Sequence, residues 1–146
     1  MDLVIKYDNG QMTVHLEEFL GQISISKFRK LVKLINSSYT PELLDDLKSY
    51  ILNQLEQFEP QKQEYENMVI GYESKIPLAK KNVNDSIFKR DVFKRGTERY
   101  KLFSEGVKES RQELTHLNSC VRNYKQKINN CIRNKDFYSK CIEIIS

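Results

Sequence analysis

The residues of this 146-residue chain whose types could do chemistry are two histidines, three cysteines and a run of lysines and arginines mixed with phenylalanines. His15 and His116 could act as bases or metal ligands. Neither has a second His or Cys at metal spacing on its own element, which argues against a metal or catalytic centre. The neighbouring carboxylates Glu17-Glu18 and Asp45-Asp46 point to different faces of any helix or strand that carries them, so they do not form acid/base pairs. On one helix the closest two of Cys120, Cys131 and Cys141 would stand about 15 Å apart. That is too far for a disulfide and wrong for zinc, so they read as small apolar side chains beside a helix seam in a reducing compartment. The five glycines are scattered and build neither a phosphate loop nor a nucleophile elbow. The expectation is a chain that is not an enzyme, with no metal and no cofactor.

Residues 80–101 carry a different signal. Lys80, Lys81, Lys89, Arg90, Lys94, Arg95, Arg99 and Lys101 face only Asp85, Asp91 and Glu98, a net charge of +5. Phe88, Phe93, Tyr100 and Phe103 are interleaved with them. Such a mixture suits docking to phosphates with base stacking, or seating in an acidic groove of a protein. It also suits a plain structural end, with aromatics as the plug and lysines for solubility. Lys27, Arg29, Lys30 and Lys33 form a second basic set on the outer side of a predicted helix.

The elements that must position these groups follow from periodicity. Hydrophobic residues make up 39% and charged residues 30%, and Trp is absent, a lean composition that fits long helices with a narrow apolar seam. Asn9-Gly10 between two alternating runs predicts a β-hairpin with a two-residue turn. Pairing across that turn sets Tyr7 opposite Met12, Ile5 opposite Val14 and Leu3 opposite Leu16. A helix capped by Ser26, with Phe28, Leu31, Val32 and Ile35 at helical spacing, should cover the apolar face, and Ile23 and Ile25 suggest a short third strand. Tyr39-Thr40-Pro41-Glu42 marks a boundary, with Thr40 as cap and Pro41 in the first position of a long helix.

That helix has a seam of Phe58, Lys62, Tyr65, Val69, Tyr72, Ile76, Ala79 and Val83, and Pro60 and Pro77 should kink or break it. After Gly96, Thr97 caps a second long helix. Its seven-residue series, Tyr100 to Ile142 and Phe103 to Ile145, is weakest at Asn134-Lys135-Asp136, where the helix could end early. The expected fold is mainly α: a ββα head over residues 1–39, then an antiparallel coiled-coil arm over 40–146 with its tip near 90–98. Folding about Gly96 would lay Glu56, Glu59, Glu64, Glu66 and Glu73 beside Arg122, Lys125, Lys127, Arg133 and Lys135.

No apolar run is long enough to span a membrane, and the N-terminus lacks the pattern of a secretory signal, which points to the cytoplasm. The expected function is a non-enzymatic interaction protein that binds and modulates or inhibits a larger protein or protein–nucleic acid complex. Shortness and richness in Lys, Asn and Ile fit a phage or mobile element of an AT-rich bacterium, acting in host cytoplasm on a defence nuclease such as a CRISPR effector. The alternatives are a nucleic-acid-binding accessory protein that uses the basic tip, and a self-associating scaffold. Monomer and homodimer both satisfy the seam.

Overall fold

A computed structural model describes all residues, 1–146. The elements in chain order are β1 (Asp2–Tyr7), β2 (Gly10–His15), α1 (Leu16–Leu20), α2 (Ile25–Asn36), α3 (Leu43–Asp91) and α4 (Glu98–Ile145). The protein is mainly α, a small antiparallel hairpin and helix followed by two long helices packed as an antiparallel hairpin. Contacts divide it into two units, Met1–Gln61 with Asn130–Ser146, and Lys62–Asn129. The division falls within the two long helices.

In the first unit, β1 and β2 pair antiparallel with Leu3 opposite Val14, Ile5 opposite Met12 and Tyr7 opposite Gly10. This corrects the expected register by two residues. The turn is Asp8-Asn9, and Gly10 follows it at φ +134°, a conformation that suits glycine and few other residues. A shift of two leaves every side chain on the same face, so alternation alone could not separate the two registers. Leu16 does not extend β2 but opens α1, its N–H donating to Met1 O at 3.0 Å.

No third strand forms. Ile23 lies at φ +50° with its N–H donating to Leu20 O, and Ile25 begins α2. A β-branched residue in that region is strained, at a cost of order 1–3 kcal/mol. Ser24, not Ser26, caps α2, its hydroxyl accepting from Lys27 N–H. Phe28, Leu31, Val32 and Ile35 are buried as the periodicity predicts, against Leu3 and Ile5 of β1 and Leu16 and Leu20 of α1. Leu47 and Ile51 of α3 and Phe137 and Cys141 of α4 close the same core.

Thr40 does not cap α3. Its hydroxyl accepts from Lys6 N–H at 3.3 Å, a turn at Pro41-Glu42 intervenes, and the helix starts at Leu43. Further along this unit, Phe58 stacks on Tyr138 with ring centres 5.3 Å apart, and Lys135 Nζ reaches Glu59 at 3.0 Å. The Asn134–Asp136 stretch does not end α4. Lys135 leaves the seam for solvent, while Phe137 and Cys141 are drawn into the core, so burial holds the helix together where its heptad pattern weakens.

In the second unit, Tyr65, Val69, Tyr72, Ile76, Ala79 and Val83 of α3 are all buried or half-buried, as are the seam residues of α4 from Tyr100 to Ile128. Tyr124 packs against both Tyr65 and Tyr72, and the hydroxyls of Ser86 and Ser110 meet at 2.9 Å. Lys125 pairs with Glu73 at 3.1 Å, one of the charge pairs expected from folding about Gly96. Lys127 instead sits over the rings of Tyr124 and Tyr65.

Neither Pro60 nor Pro77 breaks α3, which is helical from Leu43 to Asp91. Both prolines are exposed. The backbone bond each one removes is therefore lost on the exposed side of the helix, and the packed seam holds the turns before and after it.

Candidate functional site

The turn between α3 and α4 is built by its own side chains. Gly96 adopts φ +87°, which lets the chain reverse without a Cβ clash. Thr97 caps α4 as expected: its hydroxyl accepts from Tyr100 N–H at 3.2 Å and donates to Lys94 O at 2.8 Å. Phe93 and Phe103 stack with ring centres 5.1 Å apart, Arg99 lies over Phe93, and Arg90 lies over Tyr100. Arg90 Nε also donates to Asp91 Oδ1 at 2.9 Å, a bond that raises the guanidinium pKa from its ordinary value.

Two classes of residue therefore separate within the basic segment. Arg90, Phe93 and Arg99 are engaged in holding the turn. Lys80, Lys81, Lys89, Lys94, Arg95 and Lys101 are exposed, and no carboxylate pairs with them. Among these cations stand three apolar side chains in solvent, Phe88 at 74% exposure, Val92 at 67% and Leu102 at 68%. Phe88 stands on the last turn of α3, and Val92 follows directly after its end. Val92 and Leu102 escaped the sequence reading; their signal was the heptad itself, which puts both outside the a and d positions.

The second basic set lies on α2. Lys27, Arg29, Lys30 and Lys33 are all exposed, and Lys27 Nζ donates to the Gln22 side chain. Arg29, Lys30 and Lys33 line a shallow concavity with Ile25 and Ser26.

Elsewhere the chemistry-bearing groups form pairs and not constellations. His15 Nδ1 lies 2.7 Å from Asp2 Oδ1 across the hairpin, in solvent. His116 Nε2 lies 3.6 Å from Cys120 Sγ, one helical turn away. That pair overturns the expectation that His116 has no Cys at ligand spacing, and i, i+4 counting would have found it. It supplies two donors, and no group of three or more His, Cys, Asp or Glu is placed to hold a metal ion. No disulfide forms, and Cys131 and Cys141 are buried. No helix is long and apolar enough to cross a membrane. Comparison with known proteins returns no match, whether with family models, curated proteins or solved structures.

Proposed function

We propose that this chain is a non-enzymatic interaction protein that docks its α3–α4 turn onto an acidic surface of a larger protein or ribonucleoprotein and thereby modulates or inhibits it. The observation that carries this reading is the trio Phe88, Val92 and Leu102 held in solvent among six exposed, uncompensated cations. Apolar anchors ringed by charge are the pattern of a protein contact, in which the anchors fill pockets and the cations steer the approach. Direct nucleic-acid binding is less well supported, because Phe93, Tyr100 and Phe103 stack within the turn and leave Phe88 as the exposed ring for a base. Richness in Lys, Asn and Ile suggests the setting of a cytoplasmic phage or mobile-element product acting on a host nuclease complex.

Affinity purification from the native cell, with and without nuclease, tests this. The partner should be a protein whose recovery survives nuclease and is lost with Phe88→Asp and with the combined Lys81, Lys89, Lys94 and Arg95 to Ala variant. Recovery unchanged by both variants would remove the turn from the reading, and recovery abolished by nuclease would favour nucleic acid.

A further inference from the structure

The two edges of the hairpin are not equivalent. On β1 the outward backbone groups of Lys6 are occupied: its N–H donates to the Thr40 hydroxyl and its carbonyl accepts from Tyr39 N–H at 2.9 Å. On β2 the corresponding groups are open. Tyr7 and Gly10 flank the turn, and Leu16 N–H bonds Met1 O at the other end, so the rungs within the hairpin fall on Gly10, Met12 and Val14. By alternation Gln11 and Thr13 turn their N–H and C=O groups away from β1, and both residues are exposed with no backbone partner. Natural edge strands are usually blunted by lysine, proline, a bulge or a cover. Residues 10–15 have none of these.

Beside this edge lies a cleft of about 480 Å³ between β2, α1 and α2. Val14, Phe19, Leu31 and Leu34 give it an apolar lining, and Lys27 and Lys30 of α2 bring two cations against the single carboxylate of Glu18. Its volume lies within the usual range for a binding cleft. Met12 and Val14 sit opposite Ile5 and Leu3, so the β2 side chains that border the cleft continue the apolar face of the sheet. A third strand on β2 would present every second side chain to this lining.

We propose that β2 is the acceptor edge for an extended segment of a partner protein, apolar at alternate positions and carrying a carboxylate opposite Lys27 and Lys30. The backbone of Gln11 and Thr13 accepts only an extended chain, the cleft selects side chains two apart, and the lysines select acid. A second copy of β2 answers the first demand and not the last, because residues 10–15 contain no Asp or Glu. This site is separate from the α3–α4 turn, and its failure would leave the proposal for that turn standing.

A phage-displayed library of random nine-residue peptides, selected on the full chain, is the test. Enriched peptides should alternate apolar residues and contain Asp or Glu, and a synthetic copy should slow hydrogen exchange at the Gln11 and Thr13 amides. Thr13→Pro removes one edge donor at a position where an edge strand tolerates proline, and it should weaken that peptide by about tenfold or more while the far-UV spectrum is kept. Lys27→Glu with Lys30→Glu, both on exposed positions, should reverse the charge preference. Absence of enrichment, binding indifferent to Thr13→Pro and to the charge reversal, or a dimer that Thr13→Pro dissolves would each overturn the proposal.

Discussion

Asp2 and His15 face each other across the first pair of the hairpin, and the carboxylate's hydrogen bond and charge raise the imidazole pKa from its ordinary 6.5. A group whose folded pKa is raised contributes stability that is fully present below the unfolded value and is lost as pH rises through the folded one. The pair therefore holds the start of the hairpin below pH 6.5 and releases it on the alkaline side. Asp2→Asn should lower the His15 titration midpoint seen by NMR, and an unchanged midpoint would deny the pair. Cys141 is a second case, since burial pushes its thiol up to about 12. Iodoacetamide at pH 8 should modify the half-exposed Cys120 in the native protein and leave Cys141 untouched until denaturant is added, as read by peptide mass. Spacing along one helix argued that the cysteines would not bridge one another. They did not show which thiol reaches solvent, because that depends on what packs over position 141 from other elements.

At the scale of elements, periodicity located both long helices, and the eight seam positions expected on α3 from Phe58 to Val83 are all removed at least in part from solvent. Local chemistry placed the Thr97 cap and the turn at Gly96 equally well, since both depend only on adjacent residues. What remained hidden was set by distant partners. The hairpin register is fixed by Gly10's backbone and by Leu16 leaving the strand to enter α1, and α1 itself is too short to show a period. Of the basic turn, the sequence showed the charge. It did not show that Arg90 and Arg99 would be spent on neighbouring rings, a consequence of how α3 and α4 meet. The prolines are the sharpest element-scale test. Pro77 sits exposed in unbroken helix, so Pro77→Ala restores a backbone donor and removes a clash without touching the seam. Urea unfolding should show a gain of about 1–3 kcal/mol. A loss would mean that the helix uses the proline to set its course.

At the scale of the whole molecule, the first unit is closed by residues that lie far apart along the chain. Leu3 and Ile5 share a core with Phe28 and Ile35, with Leu47 and Ile51, and with Phe137 and Cys141 from the last two and a half turns of α4. No window of sequence contains that relation, which is why the head reads as a local ββα unit when only its own residues are considered. A two-stranded hairpin with one short helix is marginal in water and needs further cover. The end of α4 provides it. Phe137 and Cys141 are buried, and Tyr138, Ile142, Ile144 and Ile145 pack around them. Each large apolar side chain taken from water contributes about 1.5–3 kcal/mol, so removing this set should cost about as much as the 5–15 kcal/mol that holds a typical domain folded. A chain ending at Asn134 should therefore lose the slowly exchanging amides of β1 and β2, although every residue of the hairpin, α1 and α2 is still present. In the second unit the seam from Tyr65 to Val83 and from Tyr100 to Ile128 is untouched by that truncation, and its helical amides should stay protected. Hydrogen exchange read by mass spectrometry separates the two responses, and protection of β1 and β2 surviving in the shortened chain would show that the hairpin and α2 close their core without α4.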